Sequence, residues 1–193
     1  QIAVERYNLD YASTLGPFVS TDAQGDWWGG AGGGTVSHSG IASFLGDSAE
    51  AMLAFSRVLP TSISRIALVD FSNDSVGTSL QLCRMMFDRY IQHLEAGERE
   101  TAERYRLYGV RLDTSATLRD VSILPLGDPA LDLGVNPRLV FTLRQALDSA
   151  AESWEIPERQ REEARNFCHA VKIVVSGGFN PENLERVAVM GAV

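Results

Sequence analysis

The chain has 193 residues, of which 45% are hydrophobic and 22% charged, and its net charge is −8. These values suit one sizeable domain with a buried core. They exclude a general attraction to nucleic acid or to an anionic membrane, so a polyanionic ligand would need a local basic pocket or a metal. Sixteen of the 17 basic residues are arginine, and Lys172 is the only lysine. No apolar run reaches the length of a membrane span, and the chain does not open on a basic-then-apolar leader. A cytoplasmic protein without a membrane partner is the expectation. The start at Gln1 and the end at Met190–Val193 read as those of a piece of a longer chain.

In chain order, residues 1–24 alternate weakly through Ile2, Val4, Tyr7, Leu9 and Tyr11. They are expected to be irregular or strand-like. Gly25 to Gly34 is a glycine-rich loop holding Trp27 and Trp28. The tryptophans could stack on a ring or pack at a contact, and packing is the commoner use of such a pair. A helix is expected from Thr35 to Leu45, with Thr35 or Ser37 as its cap. Asp47-Ser-Ala-Glu50 resembles a capping box and starts a second helix, to about Val58, that Pro60 ends. Arg65–Asp70 reads as the first strand. A long helix to about Glu95 follows, capped by Asn73, Asp74 or Ser75, with Leu80, Cys83, Met86, Phe87 and Tyr90 on one face. The charged stretch Glu98–Arg106 leads into a second strand, Leu107–Leu112.

Residues 116–136 are rich in Gly, Pro and Asp and read as loop. Two helices follow, over Pro137–Trp154 and Pro157–Ala170, then a third strand over Val171–Val175. A helix over Asn180–Val189 and the start of a fourth strand at Met190–Val193 complete the pattern. Strands separated by helices imply an α/β fold with parallel pairing. Cys83 and Cys168 both fall within apolar helical patterns and outside any CxxC. They read as two buried free thiols in a reducing compartment.

Three strands end in polar residues, which places a candidate site at one face of a sheet or barrel. Asp70 ends the first strand and could hold Mg²⁺ or a ribose hydroxyl, whereas Asn73 and Asp74 suit helix capping. In Arg111-Leu-Asp113-Thr-Ser115 the two-residue period points Arg111 and Asp113 the same way. That pair could meet an anionic ligand and its hydroxyl, or form an internal ion pair. Ser176-Gly177-Gly178 could bind an anion through uncovered N–H groups, or need glycine only for a tight turn. His38 stands at a helix opening after the glycine loop, where a bound phosphate would be favoured; the alternative is a flexible loop and a capping residue. No strand precedes Gly30-Ala-Gly-Gly-Gly34, so a dinucleotide fingerprint is not expected there. His93 and His169 lack metal-ligand spacing.

Taken in order, Gly34-Thr-Val-Ser-His38, Leu68-Val-Asp70 with Asn73-Asp74, Gly109-Val-Arg-Leu-Asp-Thr-Ser115 and Val171-Lys-Ile-Val-Val-Ser-Gly-Gly-Phe179 resemble the nicotinate phosphoribosyltransferases, members of the type II phosphoribosyltransferases. The resemblance covers about residues 28–193. It implies an irregular (β/α) barrel, here partial, with residues 1–27 as a remnant of or linker from an N-terminal domain. It also implies transfer of the phosphoribosyl group of phosphoribosyl pyrophosphate to nicotinate, in pyridine nucleotide salvage and NAD biosynthesis. Mg²⁺ and ATP are the implied cofactor and co-substrate, and a homodimer the implied assembly.

By the same resemblance His38, Asp70 and Asp113 are catalytic, with His38 phosphorylated during ATP coupling and Asp70 near the metal. Arg111, Thr35 and Ser115 bind substrate, and Ser176, Gly177 and Gly178 bind the 5′-phosphate. The chain departs from the pattern at Leu112, where many members carry histidine. The resemblance places the family's second glycine-rich phosphate turn after Val193, beyond this sequence. A barrel relative without catalysis, binding a nucleotide or partner chain, is the alternative reading. The scarcity of lysine argues against a quinolinate enzyme, and Lys172 stands at the wrong strand end for a Schiff-base aldolase.

Overall fold

The computed structural model describes residues 36–177. The expected elements at 1–24 and 180–193, the Trp27 and Trp28 loop, Thr35 and Gly178 lie outside the described residues. Residues 37–177 belong to the compact unit that runs from Ser37 to Gly178. It begins with α1 (His38–Ala42), shorter than the expected helix, with Ser37 Oγ accepting from the Gly40 N–H. In α2 (Ser48–Val58), the Asp47 carboxylate accepts from the N–H groups of Ala49 and Glu50. This is the N-cap that the sequence signals, and it satisfies donors no helical carbonyl can reach.

Strand β1 (Arg65–Leu68) is followed by α3 (Ser75–Glu95), the short α4 (Arg99–Glu103) and β2 (Leu107–Leu112). The return path contains α5 (Pro129–Asp132), α6 (Pro137–Ala150) and α7 (Arg161–Ala170) before β3 (Lys172–Val175). Single 3₁₀ turns at Ala151–Ser153 and Glu158–Gln160 tighten the connection between α6 and α7. The loop expected over 116–136 therefore holds one helical turn, initiated by Asp128 and Pro129. The three strands are parallel in the order β1-β2-β3. Sequence order and spatial order coincide, so the sheet grows one crossover at a time, without a reversal among the described strands. This is an α/β arrangement; a closed barrel is not seen in the described residues.

Helix α3 packs against α6 and α7, and the core lies where they meet. Leu82, Cys83, Met86, Phe87 and Tyr90 are buried on α3; Leu82 takes the place expected for Leu80, which is only half-buried. Leu139, Leu143 and Leu147 of α6 repeat every four residues and are fully buried. Phe87 meets Trp154 at 5.2 Å and Phe167 at 5.5 Å between ring centroids. Tyr90 joins the group, 5.3 Å from Phe167. Its hydroxyl donates to Glu163 Oε1 at 2.7 Å and accepts from Arg106 Nη2 at 2.7 Å. Burial and the hydrogen bond to Glu163 push the phenol up to about 12.

Candidate functional site

The carboxyl ends of the three strands bring together residues far apart in sequence. His38, at the first position of α1, places Nε2 3.1 Å from Asp70 Oδ2, just beyond β1. Its Nδ1 lies 3.9 Å from Asp113 Oδ2, just beyond β2. Arg111 of β2 donates from Nη1 to Asp113 Oδ2 at 3.3 Å and to Ser176 Oγ at 3.0 Å, beyond β3. Ser176 Oγ also lies 2.8 Å from Asp113 Oδ1 and 3.1 Å from the Leu112 carbonyl. A hydroxyl has one proton, so with Arg111 as its donor it serves one of these two acceptors at a time.

Exposure grades across this cluster. The side chain of His38 is 45% exposed, that of Asp113 21%, of Arg111 11% and of Asp70 5%. Thus a half-exposed imidazole rests on a buried carboxylate. An ionised carboxylate only accepts hydrogen bonds, so with Asp70 ionised the ring proton sits on Nε2. Nδ1 is then the nitrogen that carries the lone pair of the neutral ring. The environment of His38 is therefore anionic, set by two carboxylates. The five residues of α1 contribute little of the positive helix end expected from the sequence. The exposed Phe71 ring lies 6.5 Å from the His38 ring and stacks on it at 30°.

The turn after β3 differs from the expected anion cradle in one respect. The Ser176 N–H donates to the Leu112 carbonyl at 2.8 Å, so it is committed to the sheet. Gly177 has φ +96°, and a Cβ there would sit 3.1 Å from the Asp113 carbonyl oxygen and 3.2 Å from Asp113 Oδ1. Glycine is required both by the left-handed backbone and by the close approach to Asp113. Any anion bound by this turn relies on the N–H groups of Gly177 and Gly178, the second beyond the described residues. Arg111 and Asp113 form the internal ion pair that the sequence left as an alternative, and they do so inside the cluster.

Ser115 is exposed and stands apart from these contacts. Its hydroxyl lies 3.1 Å from Thr117 Oγ1, and its carbonyl accepts from the Leu118 N–H, closing a turn. Asp74 is the cap of α3, accepting from the Gly77 N–H at 2.9 Å. A Cβ at Gly77 would meet Asp74 Oδ2 at 2.3 Å, so only glycine lets that carboxylate fold over the helix end.

Sequence reasoning missed Asp120, which is 1% exposed and accepts from the Ser75 N–H at 2.9 Å. It sits in a stretch that reads as loop, and no local pattern marks it. With Asp74 and Asp120 both on the start of α3, that helix end is filled by the protein's own carboxylates rather than left open to a phosphate.

Near these residues several buried oxygens lack hydrogen-bond partners: Asp70 Oδ1, Asn73 Oδ1, Ser75 Oγ and Thr114 Oγ1. An unpartnered carboxylate oxygen is what a cation or an ordered water would satisfy. No group of three or more His, Cys, Asp or Glu side chains is close enough to hold a metal among the described residues. A site with one or two carboxylates still suits Mg²⁺, which commonly takes its remaining ligands from water and substrate phosphates. No helix among the described residues is long and apolar enough to cross a membrane.

No protein-family model and no curated protein matches the chain. Among solved structures it is similar to the crystal structure of nicotinate-nucleotide pyrophosphorylase from Pyrococcus furiosus. The TM-score is 0.50 and the sequence identity 23%, over 89% of this chain and 32% of that one. At this identity the likeness is one of fold, distant and partial. This chain spans about a third of the length of the structure it matches.

Proposed function

We propose that the chain carries part of the active site of a phosphoribosyltransferase. In this reading it transfers the phosphoribosyl group of phosphoribosyl pyrophosphate to the ring nitrogen of nicotinate, forming nicotinate mononucleotide and pyrophosphate, with ATP coupling through His38. The observation that carries the reading is the convergence of His38, Asp70, Arg111, Asp113 and Ser176 at the carboxyl ends of three consecutive parallel strands. The fold likeness to a nicotinate-nucleotide pyrophosphorylase supports the same pyridine nucleotide theme.

The geometry is compatible with that chemistry. Asp70 holds Nε2–H and orients the ring, so Nδ1 is the nucleophile toward the terminal phosphoryl group of ATP. The phosphoryl group passes to Nδ1, ADP leaves, and the ring proton stays on Nε2 against Asp70. Transfer from phosphoribosyl pyrophosphate builds positive charge at the ribose carbon, which the carboxylates of Asp70 and Asp113 stabilise. Arg111 supplies the cation for the pyridine carboxylate, and its link to Asp113 fixes where that cation stands. Ser176, Gly177 and Gly178 receive the 5′-phosphate, while Thr35 and Ser115 add substrate contacts. Asp70, with Asp113 as second carboxylate, would hold Mg²⁺, which would supply charge neutralisation for the pyrophosphate. The working unit is a cytoplasmic homodimer, on the strength of the sequence resemblance.

The test is product formation by the full-length protein with Mg²⁺ and phosphoribosyl pyrophosphate, offered nicotinate, nicotinamide or quinolinate, with and without ATP. Mass spectrometry identifies the products, and His38→Ala is run alongside. Nicotinate mononucleotide alone, with ATP stimulation lost in the variant, is the expected result. No product from any base in a demonstrably folded protein would replace this reading with that of a non-catalytic binding relative.

A further inference from the structure

Behind the sheet, α3 and α7 meet at a pair of sulfurs. Cys83 Sγ lies 3.7 Å from Cys168 Sγ, across 85 positions of sequence. Both thiols are free, and both residues are 0% exposed. The surroundings of the two differ. The two sulfurs are within hydrogen-bond distance of each other, and the Arg144 guanidinium adds positive charge near Cys168. Arg144 is fixed there by donating to the carbonyls of Val171 at 2.7 Å and Cys168 at 3.2 Å. The contact with Cys83 and the Arg144 charge hold the Cys168 thiol below its usual range, whereas the contact with Cys168 and burial push the Cys83 thiol up. Cys168 is thus the more acidic sulfur of the pair.

We propose that Cys83 and Cys168 form a reversible intramolecular disulfide, making the crossing of α3 and α7 a redox-responsive site. The oxidant is a small-molecule disulfide. The Cys168 thiolate attacks one of its sulfurs, forming a mixed disulfide and releasing one small thiol. The Cys83 thiolate then attacks the Cys168 sulfur, forming the protein disulfide and releasing the second small thiol. The protein loses two electrons and two protons, and the two released thiols carry them. Access comes through α7. This ten-residue helix turns Glu162, Arg165, Asn166 and His169 to solvent, and local opening there is the proposed route of the oxidant to the sulfurs.

The sulfurs must approach to about 2 Å to bond, a movement that rotation about both Cα–Cβ bonds and a small shift of α7 can share. Helix α3 leaves the strand end that carries Asp70, and α7 feeds the strand that ends at Ser176. The bond would tie together the two elements behind those residues.

The experiment incubates the reduced full-length protein with oxidised glutathione under native conditions. The protein is then alkylated and its peptides are mapped by mass spectrometry without reduction. The expected result is one peptide pair joining Cys83 to Cys168 in monomeric protein. The melting temperature should rise by about 5–10 °C and return on adding dithiothreitol. Cys83→Ala and Cys168→Ala should each abolish both the cross-link and the shift. Glutathione adducts without the cross-link, disulfides between chains, or two alkylated thiols after native oxidation would each overturn the proposal. Peptide mapping of the wild-type protein decides the matter even where a variant fails to fold.

Discussion

The two ends of the parallel sheet are built on opposite terms. At the amino end, buried Arg65 donates to the carbonyls of Leu59 at 2.8 Å, Pro60 at 2.9 Å and Arg104 at 3.1 Å, and also to that of Ile63. Its guanidinium gathers a turn and two elements onto the start of β1. At the carboxyl end the balance reverses. Four of the six buried side-chain polar atoms without a partner among the described residues lie there: Asp70 Oδ1, Asn73 Oδ1, Ser75 Oγ and Thr114 Oγ1. Asn73 also holds a left-handed backbone at φ 57°. Each such oxygen carries a desolvation penalty of about 1–3 kcal/mol. Stability is therefore concentrated in the helices and at one strand end, and chemical potential at the other, where an incoming ligand would satisfy what the fold leaves open.

Substitutions can break or sharpen this contrast. The largest effect is expected from Phe87→Ala, which empties the junction with Trp154 and Phe167. It should lower unfolding stability by about 3–5 kcal/mol in urea titrations. An unchanged midpoint would remove the helical core from its assigned role. Arg65→Met deprives four carbonyls of their donor and should lower stability by about 2–3 kcal/mol. The same assay reads it, and a neutral result would undo the amino-end half of the contrast.

Gly177→Ala places a side chain in a left-handed backbone against Asp113, at about 1–2 kcal/mol. Its melting curve should shift while the helical circular dichroism stays unchanged. Asp70→Asn should leave stability level or raise it by up to about 1 kcal/mol, because a buried charge is removed. In the proposed phosphoribosyl transfer, product formation by the full-length protein should fall at least about 100-fold in the same variant. A marked loss of stability would instead make Asp70 a structural residue.

The smallest effect concerns pH. The Tyr90 hydroxyl has its folded-state value raised from 10.0 to about 12, so its contribution is complete below pH 10 and is lost as the pH climbs toward 12. Stability measured across that window should decline less steeply in Tyr90→Phe.

Much of the architecture was legible because it rests on local chemistry. Asp47 capping α2, Pro137 opening α6 and the apolar period of α3 each announce their element within a few residues. β2 spans the expected Leu107–Leu112, while β1 ends at Leu68 rather than Asp70, with the Val69 N–H still donating to the Arg111 carbonyl at 3.3 Å. The site was partly legible. Arg111 and Asp113 share a face by strand periodicity alone.

Other parts had no local signature. That His38 would meet Asp70 depends on where α1 sits against the ends of β1 and β2. Asp120 reaches the start of α3 from a loop with no periodic pattern. The double commitment of Ser176, backbone to Leu112 and hydroxyl to Asp113, depends on the register between β2 and β3, which no single strand encodes.

The tether at Asn73 has a consequence for anyone recombining this fold. Its side-chain Nδ2 donates to the Arg119 carbonyl at 2.9 Å, and its own carbonyl accepts from the Val121 N–H at 3.0 Å. Asp120, between those two partners, reaches back to the Ser75 N–H. The segments after β1 and after β2 are thus one mechanical piece, although some 45 residues separate them. A chimera that imports either segment alone from a relative would sever three bonds at once. Only a paired transplant, moving both together, would carry the geometry around Asp70 intact.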